Sequence, residues 1–208
     1  MYIDTCFLLT VDLDLGGNDE LIWEPIAQDG NSLQTRCFAG HFDGGNHIIS
    51  NMNLKDGNGR KYMGLFGHVK DGSIKNIIID GGNIDVTSFN LSGISGGLGT
   101  IIGFGENVTV EHCKNNAGIS YGSANFEFGG AFGGLFGQMH NSTITDCHNY
   151  GNLVISELNT YYSGLVFGGI CGQSYDCNIN NCSNQGCISV QNGDDNFSNV
   201  MLQAVLSE

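Results

Sequence analysis

Short runs of alternating apolar and polar residues, cut at regular intervals by glycine, run through most of this chain. Ile84/Val86, Ile119/Tyr121, Leu153/Ile155 and Ile188/Val190 each stand two residues apart. A period of two puts such side chains on one face of a β-strand, whereas a helix would need apolar residues three and four apart. The runs are short and often β-branched, which suits strands bounded by turns.

The pattern repeats. GLFGHVKDGSIKNIIIDGGNIDV from Gly64 aligns with TIIGFGENVTVEHCKNNAGISY from Thr100, GLFGQMHNSTITDCHNYGNLVIS from Gly134 and GICGQSYDCNINNCSNQGCISV from Gly169. One column reads Leu65, Ile101, Leu135, Ile170; the next reads Gly67, Gly103, Gly137, Gly172, with steps of 36, 34 and 35 residues. Further columns read Ile74, Val110, Ile144, Ile179 and Ile77, Cys113, Cys147, Cys182, with Tyr62, Leu98, Phe132, Phe167 upstream. A repeat of this length suits one coil of a solenoid, stacked so that equivalent side chains lie ~4.8 Å apart and build inward ladders. The segment FAGHFDGGNHIISNMNL from Phe38 fits as an earlier coil, with Ile49 and Met52 opposite Ile74 and Ile77. CFLLTVDLDL from Cys6 reads as an edge strand before it. The expectation is an all-β, single-stranded parallel β-helix of about six coils in one domain over residues 1–208. Coils occupy about 38–192, and residues 193–208 form a cap or tail that closes the last coil as a short helix or strand.

Composition supports this reading. Glycine is 33 of 208 residues and proline is 1. Frequent tight turns need the first, and interior strands that must donate to a ladder exclude the second. The formal charge is −14, and every basic residue lies between Arg36 and Lys114. Such a surface repels phosphate backbones and anionic lipid, so neither nucleic acid nor membrane is an expected partner. No stretch is long enough to span a bilayer, and the start lacks the basic region of a signal peptide.

The glycine-flanked segments resemble the GLUG-motif repeat, as Gly64-Leu65-Phe66-Gly67, Gly134-Leu135-Phe136-Gly137 and, degenerate, Gly169-Ile170-Cys171-Gly172. The second coil departs from the motif, with Thr100-Ile101-Ile102-Gly103. The opening segments LTVDLDLGG, WEPIA and FAGHFDGGNHIISNMNL resemble the first coils of GLUG-containing bacterial surface proteins. Those include filamentous-haemagglutinin-type adhesins and stalk regions of some immunoglobulin A-cleaving metallopeptidases. The resemblance spans roughly Leu9 to Asn192. It implies a right-handed, extracellular or cell-surface β-helix that binds a glycan or a host or cell-surface protein, or presents other domains. It carries over no catalytic residue, and the peptidases' zinc motif is not in this chain.

The chemistry-bearing residues give little support to an enzyme. Eight cysteines include three in one apolar column, where a thiol behaves as a small hydrophobe; reduced cysteines are expected there. No CxxC occurs, so no zinc site is expected. The six histidines have no metal-binding spacing and read as surface or turn residues. His68 and His140 follow their glycines at different offsets, so stacking is not required of them. Asp12, Asp14, Asp19 and Glu20 could take Ca²⁺, but not with EF-hand spacing. A polysaccharide lyase would need a basic catalyst, and the arginines are Arg36 and Arg60. A hydrolase would need paired carboxylates, and the adjacent acidic pair near the C-terminal end is Asp194-Asp195. Thr109 and Thr143 share a column but are flanked by Ser73 and Asn178, which is no ice-binding array.

The coil is lengthened at one corner between Thr87 and Gly97, Gly122 and Ala131, and Glu157 and Val166. These insertions carry Phe89, Phe126, Phe128, Tyr161 and Tyr162. Solenoids often bind ligands where insertions collect, so Phe89, Phe126, Tyr161 and Tyr162 are the candidate ligand-binding residues, at least two of them exposed. No catalytic or metal-binding residue is assigned. The function expected is non-enzymatic adhesion or ligand display, with a carbohydrate-active enzyme and a structural spacer as alternatives.

Overall fold

A computed structural model describes residues 3–17, 21–27, 36–55, 61–82, 84–86, 96–122, 130–156, 165–191 and 200–203. Among them there is no helix; every strand joins one of five parallel sheets. Each sheet is one face of the coil. Face I contains Phe66–Lys70, Ile102–Glu106, Phe136–His140 and Cys171–Tyr175. Face II follows in each turn with Ser73–Lys75, Thr109–Glu111, Thr143–Thr145 and Asn178–Asn180. Face III has Ile78–Asp80, Lys114–Asn115, His148–Asn149 and Ser183–Asn184. Face IV has Ile84–Val86, Ile119–Gly122, Leu153–Ser156 and Ile188–Gln191. Face V closes the turn with Gly96–Leu98, Gly130–Gly133, Leu165–Gly168 and Val200–Gln203. The protein is therefore a parallel β-solenoid.

Among the described residues about four turns are complete, fewer than the six coils expected. Two earlier turns contribute only some faces. Ala39–Asp43, Ile48–Ser50, Leu54–Lys55 and Tyr62–Met63 extend faces II to V, while Ile3–Leu8 and Leu13–Asp14 end faces II and III. Single bridges from Ile26 to Phe66 and from Phe38 to Val69 stand where face I would have another strand. The N-terminal segments are edge strands, as their alternation predicts. At the other end, Val200–Gln203 pairs with Leu165–Gly168, so this part of the tail lengthens face V.

Two columns shift by register. Met63, not Tyr62, pairs with Leu98, because one residue fewer separates it from face I than in later turns. In the earlier coil, Phe42 stands against Ile74 and Ile49 against Ile79; Ile49 does not meet Ile74. The loop Gly45-Asn46-His47 accounts for the offset. The remaining columns are as the period requires. Ile74, Val110 and Ile144 are fully buried, as are Ile77, Cys113, Cys147 and Cys182. Within the coil, Phe132 and Phe167 stack at 5.1 Å, and Tyr121 meets Phe132 edge-on at 4.9 Å.

The two glycines of the repeated motif do different work. A Cβ on Gly137 would lie 2.5 Å from the Gly103 carbonyl oxygen and 2.5 Å from the Leu98 nitrogen; on Gly172 it would lie 2.3 Å from the Phe132 nitrogen. This column lets face I lie against the backbone of face V. A Cβ on Gly134 would come within 2.5 Å of Asn149 Nδ2, and one on Gly169 within 2.3 Å of Asn184 Cγ. The first glycine thus makes room for a buried asparagine ladder. Asn115 Nδ2 donates to Asn149 Oδ1 at 2.7 Å, and Asn149 Nδ2 donates to Asn184 Oδ1 at 2.7 Å. Each amide also reaches a backbone carbonyl two residues on, at Ala117, Gly151 and Gly186. Asn115 and Asn149 are fully buried, and these bonds answer the cost of placing amides there.

Cys113, Cys147 and Cys182 form the neighbouring ladder. All eight cysteines carry free thiols. The Cys147 thiol is held well above its usual range, chiefly by its contact with Cys113, and that of Cys182 chiefly by Cys147. Burial pushes the Cys171 thiol up to about 12. Since thiolate is the reactive form, native protein treated with iodoacetamide at pH 8 should be labelled at exposed Cys6 and Cys187. Cys113, Cys147, Cys171 and Cys182 should be modified only after denaturation. Peptide mass spectrometry reads both; native labelling of Cys147 as fast as Cys187 would contradict the packing.

Asparagine and aspartate also hold the outside corners. Asp71, Asn107, Asn141 and Asp176 turn the chain from face I to face II, and Asn76, His112, Asp146 and Asn181 from face II to face III, all with φ between 48° and 55°. Short polar side chains tolerate this left-handed backbone best. Corner amides bond carboxylates of the adjacent coil: Asn51 to Asp14, Asn76 to Asp43 and Asn107 to Asp71, each at 2.9 Å. These bonds, with backbone N–H groups, hold the Asp14 and Asp43 carboxyls below the usual carboxylate range. A carboxyl depressed in the folded state stabilises it above the unfolded pKa and loses that contribution as pH falls through the folded value. Acidification below about pH 4 should therefore loosen the N-terminal coils first. Hydrogen exchange at Ile3–Leu8 and Ile48–Ser50 should accelerate before that at Thr143–Thr145. Uniform loss of protection along the solenoid would refute this.

Candidate functional site

The candidates read from the insertions, Phe89, Phe126, Tyr161 and Tyr162, lie outside the described residues, as do Phe128 and the Asp194-Asp195 pair. Their place in the path is defined, however. Each insertion falls in sequence between a described strand of face IV and the next described strand of face V.

A row of rings on face I, joined by Tyr62 from face V, is described in full. The Tyr62 and Phe104 rings stack at 4.8 Å with 18° between their planes. Phe104 meets His68 at 4.9 Å and His140 at 5.1 Å, and His140 meets Tyr175 edge-on at 4.8 Å. The row crosses the strands, stepping from coil to coil. Register explains it: Phe104 pairs with His68 and Gln138, and Glu106 pairs with Lys70 and His140. His68 and His140 thus flank one ring despite their different offsets. His68 is buried, against the expectation of a surface histidine. Tyr62, Phe104 and His140 are half-buried, and Tyr175 is 49% exposed at the end of the row. The Gln173 amide donates to the Tyr175 hydroxyl, and Lys70 pairs with Glu106 at 2.9 Å beside the row. The signal in sequence was the column just after the motif glycine, which reads His68, Phe104, Gln138, Gln173.

The remaining candidates are dispersed. Asp12 accepts from His47 and the Ile48 N–H, and Asp14 from Asn51 and the Gly16 N–H, so these carboxylates tie the first turn to the next. Asp19 and Glu20 lie outside the described residues. Among the described residues no three His, Cys, Asp or Glu side chains converge as a metal-ligand set. Face II carries an open groove of about 600 Å³ lined by Leu8, His41, Lys75, Thr109 and Glu111. Lys75 pairs with Asp43 inside it at 3.3 Å.

These features define a β-solenoid with a ring-lined face. No protein-family model matches the chain, and no curated protein matches it. Among solved structures it is similar to a crystal structure of a "putative immunoglobulin A1 protease" from Bacteroides ovatus, with 20% identity and a TM-score of 0.57. The match covers 96% of this chain and 65% of that one. At this identity the likeness shows the fold alone.

Proposed function

We propose that this protein is a non-enzymatic cell-surface solenoid that binds a glycan or a protein, and that face I is its binding surface. The carrying observation is the row Tyr62–Phe104–His140–Tyr175, which keeps rings in contact across successive coils and ends in an exposed tyrosine. Aromatic rings flanked by Gln138, Gln173 and Lys70 offer stacking area and hydrogen bonds side by side. The resemblance to GLUG repeats supports a surface setting. A glycan array, run with and without Ca²⁺, tests the reading. Tyr175→Ala should weaken binding about tenfold, equivalent to ~1.4 kcal/mol, with the melting temperature unchanged. Binding that survives Tyr175→Ala and instead falls in a Tyr161→Ala/Tyr162→Ala variant would move the site to the insertion corner. Binding indifferent to both variants would sink the proposal.

A further inference from the structure

We infer a second site, for a carboxylated saccharide, at the corner between faces II and III. It goes beyond face I and shares no residue with it. A recess of about 570 Å³ opens there, lined by Asn46, Asn76, His112, Lys114, Asp146 and His148. Every lining side chain is polar. Two adjacent coils supply the centre: Lys114 pairs in register with His148 on face III, and His112 and Asp146 hold the same corner position one residue before the buried cysteine column. Strand alternation turns Asn115 and Asn149 into the core and so leaves Lys114 and His148 outside.

Its one ammonium and one carboxylate balance formally, and what favours an anion is that the carboxylate is already engaged. Asp146 is engaged on both oxygens, one by the Asn181 amide and the other by His112 at 3.5 Å. Lys114, by contrast, has no carboxylate within ion-pair distance among the described residues, although the chain carries 21 acidic groups and only 7 basic ones. Lys70 and Lys75 both have such partners. His148 uses Nδ1 on Ser183 Oγ at 2.9 Å, which leaves Nε2 for a ligand. An ammonium and an imidazole on neighbouring coils suit one carboxylate. Asn46 and the carbonyl oxygen of the Asn76 side chain suit hydroxyls. Tyr150 is 42% exposed, with its ring 6.4 Å from that of His148, and offers a face for a pyranose. The recess falls in the ordinary size range of small-ligand sites.

Calorimetry with trigalacturonic acid and 3′-sialyllactose, against galactotriose and lactose, tests this in low-salt buffer. The acidic sugars should bind about tenfold more tightly than the neutral ones, and their affinity should fall as salt rises. Lys114→Gln should cost about tenfold for acidic sugars, and His148→Gln a smaller part of that. Tyr175→Ala should leave this binding intact, which separates it from face I. Equal binding of neutral and acidic sugars, no binding of acidic sugars, or wild-type affinity in Lys114→Gln would each overturn the site. Sulfate competing as well as the sugars would overturn its saccharide assignment.

Discussion

Replacing Gly137 by alanine is expected to lower the melting temperature by roughly 6–12 °C, from a loss of about 3 kcal/mol or more. The added methyl would sit 2.5 Å from two backbone atoms, the Gly103 oxygen and the Leu98 nitrogen, and 2.7 Å from the Gly97 carbon. Flexible side chains could swing away from it, but backbone held in two ladders cannot. The contact between faces V and I would have to open across neighbouring coils. Gly118→Ala is the matched control. Its Cβ would lie 3.8 Å from the Asn152 oxygen, an ordinary contact. That change should be neutral or slightly stabilising, because alanine restricts the unfolded chain more than glycine does. Thermal melts of both variants decide the matter; equal melting temperatures would mean the glycine column is not what lets the two faces meet.

Asn149→Ala should cost about 3 kcal/mol or more, since buried groups left unsatisfied cost ~1–3 kcal/mol each. The wild-type amide is fully buried and makes three side-chain bonds, to Asn115, Gly151 and Asn184. Removing it leaves the Gly151 carbonyl and one group on each neighbouring asparagine without those partners. The same fold tolerates an apolar residue at this position elsewhere, for Ile79 pairs with Asn115 one coil earlier. The ladder is therefore sensitive to interruption more than to composition. Replacing Asn115, Asn149 and Asn184 together by apolar residues should cost less than three times the single change, because both partners of each amide-to-amide bond then leave together and only the backbone carbonyls stay behind. Urea unfolding of the single and triple variants measures both terms. A single variant within ~0.5 kcal/mol of wild type would contradict the ladder's role.

The face I row and the corner recess ask different things of the sequence. Phe104 is ordinary among apolar residues until Tyr62 from face V and His140 from the next coil are laid beside it. Lys114 is one lysine among few until its register with His148 is known. The buried asparagines were more accessible: Cys113-Lys114-Asn115, Cys147-His148-Asn149 and Cys182-Ser183-Asn184 repeat the same spacing. A column of amides beside a column of thiols is visible in the repeat once polar columns are tracked as closely as apolar ones.

By itself the sequence determined the coil. Its period of 34 to 36 residues, its two-residue alternation and its glycine column define which side chains stack inward, because in a parallel solenoid equivalent positions must lie one strand spacing apart. What tertiary structure decided was register and convergence. A turn can gain or lose a residue without disturbing the period, so only backbone pairing shows that Met63 replaces Tyr62 under Leu98, or that Phe42 rather than Ile49 meets Ile74. The same pairing gives about four complete turns among the described residues and brings His68, Phe104 and His140 together from unequal offsets. Outward-facing side chains carry no burial constraint that would mark them in sequence, so where they meet is decided only when the coils stack.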